Sequence, residues 1–262
     1  MHRIPRRPLL ALTTIATIAT LLAVPAAHAQ QASNTTDPQA STWALGAAAG
    51  IEQTPYRGYG NKTRALPWLM YNGSLFRFAG TTADLKLGSL GPVSFDLRAK
   101  YADDGYEAGD AAILAGMEER KGGFWAGAHA MWRNPYADLS LEWLTDASGH
   151  SSGQTVKLLA EHRFKSGRFT FVPYLGANWM SSNYVDYYFG VRQNEATAQR
   201  AAYRGGSTTN LLGGLRTDYS LTPSQSLLLD VRMTHFGSGI TDSPLVDRSH
   251  AAAVRVGYLY RF

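Results

Sequence analysis

The stretch "AAVRVGYLYRF", residues 252–262, decides the fold. Val254, Val256, Tyr258, Tyr260 and Phe262 fall on one parity, and Ala253, Arg255, Gly257, Leu259 and Arg261 on the other. One face is apolar and aromatic; the other is mostly small or charged. A period of two marks a β-strand with a different environment on each face. The fold then depends on what lies against the apolar side.

The same pattern recurs from Trp43 onward. In "PVSFDLRAKY", Val93, Phe95, Leu97, Ala99 and Tyr101 alternate with Ser94, Asp96, Arg98 and Lys100. "YADLSLEWLTD" sets Leu139, Leu141 and Trp143 against Asp138, Ser140 and Glu142, and "TVKLLAEHRF" sets Val156, Leu158 and Ala160 against Lys157, Glu161 and Arg163. "TTNLLGGLRTDYS" places Arg216 and Asp218 on one face, and "SLLLDVRMTHF" places Asp230 and Arg232 there. A soluble sandwich also alternates. Sandwich strands, however, typically run ~5–6 residues, whereas these run about twice that, close to the ~9–11 needed to cross a bilayer. Trp43, Trp143, Trp179, Tyr219 and Phe262 sit near strand ends on the apolar side, as interfacial girdles require. The expected fold is all-β: a transmembrane antiparallel β-barrel with lipid outside and polar side chains inside.

Twelve strands are expected, at 43–51, 62–72, 74–88 (interrupted near Gly80), 92–101, 111–119, 123–133, 136–146, 154–165, 168–180, 208–219, 225–236 and 251–262, with ten or fourteen as alternatives. An even count closes an antiparallel barrel, and closure leaves no unpaired backbone edge in lipid. "YNGS", "NPY", "KSGR" and "TPSQ" read as tight turns; 52–61, 146–153, 181–207 and 237–250 read as long outer loops. Two connections break this alternation: 102–110 is long where a short periplasmic turn belongs, and "KGG" at 121–123 is short where a loop belongs.

The first residues place Arg3, Arg6 and Arg7 before an apolar run from Leu9 to Val24, followed by Ala27-His28-Ala29. This is the pattern of a secretory signal, residues 1–29, cleaved after Ala29. Residues 30–42 read as a polar lead-in and 43–262 as the barrel domain. Removing the signal takes three Arg and lowers the formal net charge from +5 to +2. No basic cluster then remains to track phosphates, so nucleic acid is not an expected partner. The absence of Cys excludes disulfides and thiolate metal sites.

Little points to chemistry. His235 stands three residues before Ser238, and Asp230 or Asp242 is the conceivable third member of a triad; a rim histidine entering a loop is the simpler reading. His129, His150 and His250 lack metal-ligand spacing, and "ADDGYEAGD" lacks the ordered ligands of a calcium loop. No catalytic residue, metal site or cofactor is expected. The charges placed inward, Asp96, Arg98, Lys100, Asp138, Glu142, Lys157, Glu161, Arg163, Arg216, Asp218, Asp230, Arg232 and Arg255, carry both signs. Mixed signs pair and fill a lumen, whereas selective pores use rings of one sign.

Several segments, in order, resemble the family of the MltA-interacting protein and OmpV: "GAAAGIEQTPYRGYGNKTRALPWLMYNG" at 46–73, "YYFGVRQNEATAQRAAYRGGS" at 187–207, "SPLV" at 243–246 and "GYLYRF" at 257–262. The resemblance implies an outer-membrane barrel that acts as an adaptor between a lytic murein transglycosylase and a bifunctional peptidoglycan synthase (a penicillin-binding protein). It also implies that Gly257, Tyr258, Tyr260 and Phe262 form the C-terminal signal read by the barrel-assembly machinery. An adaptor's partner surface faces the periplasm, where the candidates are "ADDGYEAGD", with Asp103, Asp104 and Asp110, and the N-terminal lead-in. A second reading is a small-solute channel or surface receptor working through 181–207, folded over the mouth as a lid or displayed as an adhesive surface.

Overall fold

The computed structural model describes residues 41–262, so the signal and nearly all of the lead-in lie outside the described residues. The strands are β1 (Thr42–Gln53), β2 (Asn61–Asn72), β3 (Phe76–Ala79), β4 (Thr82–Leu90), β5 (Val93–Ala102), β6 (Gly123–Arg133), β7 (Asp138–Asp146), β8 (Gln154–Glu161), β9 (Phe164–Ser166), β10 (Phe169–Met180), β11 (Thr208–Ser220), β12 (Gln225–His235) and β13 (His250–Arg261). β8 and β9 are two pieces of one barrel strand, broken at His162 and Arg163, and both pair with β10. Every pairing is antiparallel between chain neighbours, and β13 returns to β1 from Ala44↔Arg261 to Glu52↔Ala253. The result is a closed twelve-strand antiparallel barrel.

Alternation does the sorting. Leu45, Leu141, Leu175, Val231 and Val256 are exposed on the outer face, with nothing but lipid to cover so large an apolar belt. Aromatic pairs band both ends of it. Trp43–Tyr71, Phe169–Tyr219 and Tyr260–Phe262 lie at the short-turn end, with ring centroids 4.4, 4.7 and 5.0 Å apart. Tyr101–Phe124 lies at the other end, at 5.2 Å.

Two expected strands are corrected. The segment 74–88 is a hairpin, β3–β4, that turns at Gly80 (φ +60) and Thr81. The segment 111–119 is no strand but a single 3₁₀ turn, Ala112–Leu114, with Leu114 fully buried and Gly116 left-handed at φ +76. These two errors cancel in the strand count. They also dissolve both broken connections, because 103–122 is one long loop on the same end as 54–60, 147–153, 181–207 and 236–249. Arg163 is a further correction: it is exposed in the break between β8 and β9 and lines no inner face.

The barrel wall has one notch. β3 is only four residues long, so β2 is paired on its second edge only from Met70 to Asn72. Pro67, which has no N–H to leave unpaired, lies on the open stretch above. Polar chain covers the notch: Lys62 and Arg64 each reach Asp103 Oδ2 at 2.9 Å.

Candidate functional site

The long loops fold together over one mouth of the barrel and have a core of their own. Segment 181–207 begins with α1 (Ser182–Phe189), whose N-cap Ser181 accepts from the Tyr184 N–H. Val185, Tyr188 and Phe189, spaced i, i+3, i+4, put one face of α1 into that core, and Val185 is fully buried. Tyr56 from the 54–60 loop stacks on Phe189 (5.4 Å) and meets Tyr106 edge-on (4.9 Å). Leu245 and Ile240 enter from the 236–249 loop, whose short α2 (Ser238–Thr241) follows β12. The barrel contributes Trp125, Leu144 and Met180 from below. Segment 181–207 therefore packs over this mouth together with the other long loops.

Polar contacts lock this cap. Arg120 and Glu195, each with a side chain only 2% exposed, pair at 2.8 Å. Glu195 also accepts the backbone N–H groups of Glu118 and Arg192, both at 3.0 Å. Arg120 donates further to the Tyr187 carbonyl at 2.8 Å, and Arg200 donates through Nε to the Glu195 carbonyl at 3.1 Å. Ser243 donates to the Phe189 carbonyl (2.6 Å), and Tyr56 to the Tyr188 carbonyl (3.0 Å). Burial pushes the Glu195 carboxyl up, but the Arg120 guanidinium and the two backbone N–H groups outweigh it and hold the carboxyl below its usual range. Burial first, then the neighbouring Asp104 and tyrosines, drives the Tyr56 and Tyr184 hydroxyls well above their ordinary value, and burial takes Tyr106 up to about 12 despite the opposing Arg120 charge.

Below the cap the lumen is laced with ion pairs. On the β3–β7 wall, Asp84 holds Arg77 (2.6 Å) and Arg98 (2.7 Å), Arg98 reaches on to Glu142, and Asp96 holds Arg77 and His129 (3.2 and 3.0 Å). Across the barrel, Glu52 takes Arg232 (2.8 Å) and Arg255 (3.4 Å), Asp230 accepts from Tyr174 (3.0 Å), and Glu161 meets Arg216 (3.5 Å). Asp96, Arg98, Lys100, Asp138, Glu142, Lys157, Glu161, Arg216, Asp218, Asp230, Arg232 and Arg255 all occupy inner register positions, as expected. The sequence reading missed Glu52, Lys62, Arg64, Arg77, Asp84 and Lys86. The first three continue the even-numbered parity of β1 and β2 and were legible on that ground.

Asp103, Asp104 and Asp110 are a correction in place. They lie in the 103–122 loop at the capped end: Asp103 is tied to Lys62 and Arg64, Asp104 accepts from Tyr184 at 3.1 Å, and Asp110 accepts the Glu107 N–H at 2.8 Å. They therefore do not lie with the short turns. On β13, Tyr258 and Tyr260 face outward and Gly257 faces inward, where a Cβ would come within 3.1 Å of the Trp68 ring. His235 takes an outward register position opposite Leu211 and His250, and among the described residues no hydrogen bond joins it to Ser238. Among the described residues no group of three or more His, Asp or Glu is arranged to hold a metal.

A closed barrel with a lipid-facing apolar belt, an ion-paired interior and a folded lid defines an outer-membrane β-barrel protein. The chain belongs to the family described as MltA-interacting protein MipA, whose model matches residues 45–262. It is similar to the "Putative outer membrane protein YiaT" of Escherichia coli K12, 25% identical over 226 residues that cover 85% of this chain and 92% of that one. It is also similar to the "MltA-interacting protein" of the same strain, 25% identical over 223 residues (84% and 90%). The "Outer membrane protein OmpV" of Vibrio cholerae is 28% identical over 191 residues (73% and 72%). Among solved structures, a NanC porin matches with a TM-score of 0.43 at 9% identity, covering 82% of this chain and 98% of that one. The protein resides in the outer membrane.

Proposed function

We propose that this protein is a non-enzymatic outer-membrane scaffold that docks a lytic murein transglycosylase at its short-turn end and presents it to a bifunctional peptidoglycan synthase. The capped lumen carries this reading. With the outer mouth filled by a packed core and the interior bridged by ion pairs, the surfaces available for function are the two ends of the barrel. The name of the relative that is 25% identical over 223 residues supports the partner class. The short-turn end suits a protein partner with an acidic face: Arg133, Lys165, Arg168 and Arg261 are exposed at points around its rim, as is Tyr136. Tyr258, Tyr260 and Phe262 at that same end serve as the signal taken up by the barrel-assembly machinery.

The test is photo-crosslinking in intact cells from a probe at Tyr136 and, separately, from a probe at Arg57 on the capped end. Capture of a lytic transglycosylase from position 136 and not from 57 is expected. Recovery of only assembly machinery from 136, with partners appearing at 57, would move the function to the outer loops and favour the receptor reading.

A further inference from the structure

Between the cap and the mid-barrel ion pairs lies a cavity of about 300 Å³ that reaches the notch beside Lys62 and Arg64. Its acids are all engaged. Glu52 holds two arginines, Asp103 holds Lys62 and Arg64, Asp104 accepts from Tyr184, and Glu142 is taken by Arg98. Its cations are not. Lys100 and Lys157 line the cavity, and neither ammonium has an ion-pair or hydrogen-bond partner among the described residues. Glu142 is the cross-strand neighbour of Lys157, yet its carboxylate is drawn to Arg98. Arg232 gives one terminal nitrogen to Glu52 and keeps its Nε buried with no acceptor. Asn178 and Asn210 continue the register row Glu142–Lys157–Asn178–Asn210 around the wall and add neutral donors.

A buried guanidinium N–H without an acceptor is costly, and two ammonium groups that share the field of one carboxylate, Glu142, without a hydrogen bond of their own add to that cost in a half-enclosed space. An oxyanion among them removes both penalties. We infer that this cavity is a binding site for a small oxyanion, a carboxylate or a phosphate, held by Lys100, Lys157 and the Arg232 Nε–H, with Asn178 and Asn210 completing its hydrogen bonds. The lining runs to Lys62, Arg64 and the 103–105 segment, so entry is by way of the polar contacts that cover the notch, while the mouth stays capped. The site is independent of any partner at the short-turn end.

The experiment is calorimetric titration of the full chain in detergent micelles with inorganic phosphate and, separately, with succinate, at constant ionic strength. Saturable binding of at least one is expected, weakened about tenfold or more by Lys157→Met and by Lys100→Met, as loss of a charged hydrogen bond implies. Lys157→Arg should retain it. Lys86→Met serves as a control, since Lys86 lies at the opposite end and is bound to Asn72 and the Gly73 carbonyl. Folding of each variant is checked by heat-modifiable electrophoretic mobility. Binding of phosphate alone assigns a phosphoryl ligand, and binding of succinate alone a carboxylate. Saturable binding of neither anion, or binding unchanged in both methionine variants, overturns the assignment.

Discussion

Removing Glu195 should open the cap and leave the barrel standing. In Glu195→Ala, Arg120 stays buried with its counter-charge gone, and the Glu118 and Arg192 N–H groups lose their acceptor. Deleting one partner of a buried pair costs about 3–5 kcal/mol, and about 1.4 kcal/mol is a factor of ten. Local opening of the cap should therefore become some hundred- to thousandfold more frequent. Hydrogen exchange followed by mass spectrometry reads this directly. The reporters are the amides of Tyr106 and Arg120, which bond each other's carbonyls at 2.9 Å, and of Val191 and Tyr203, at 2.8 and 3.0 Å. They should lose protection, while amides in β11 and β12 keep theirs. Arg120→Met with Glu195→Leu should recover part of the loss, because an apolar pair removes the stranded charge, although Arg120's bonds to the Tyr187 and Glu118 carbonyls are lost. Unchanged exchange at those four amides, or equal loss throughout the strands, would show that the Arg120–Glu195 pair does not hold the cap shut.

Acid should act on the same latch. The Glu195 carboxyl is held below its usual range in the folded cap, so its stabilising contribution is complete above the ordinary carboxylate value of about 4.3 and is lost as pH falls through the lower folded value. Protease cleavage within 181–207 should therefore rise below about pH 4 and stay flat between pH 5 and 8. Charge reversal at Asp103, Asp104 and Asp110 should leave capture of a murein transglycosylase unchanged, as measured by crosslinking from Tyr136, because those residues lie at the capped end. Phe262→Ala combined with Tyr260→Ala should lower the fraction of heat-modifiable, folded protein in the outer membrane. Gly257→Val should lower it as well, since the added side chain meets Trp68.

Strand identity was legible wherever a full-length strand had lipid on one side and ion pairs on the other. β5, β7, β12 and β13 declare both faces residue by residue. Legibility failed where a segment was too short or lay outside the membrane. β3 has four residues, too few for two periods, so Gly80 read as an irregularity within one strand rather than as a turn. Around Leu114, an apolar stretch that packs into the cap looked like one that crosses lipid, because composition does not report which core an apolar residue enters. The Arg120–Glu195 latch joins residues 75 apart through two loops, and no local period encodes such a pair. The helix in 181–207 did carry a local signal, the i, i+3, i+4 spacing of Val185, Tyr188 and Phe189, which a reading tuned to period two passed over.

Whether the folded loops seal this barrel is read by planar-bilayer recording of the intact protein beside Glu195→Ala. The intact chain should give a near-silent baseline, and intermittent conductance steps should appear once the latch is removed. A steady open conductance from the intact protein, unaltered by Glu195→Ala, would contradict a sealed barrel.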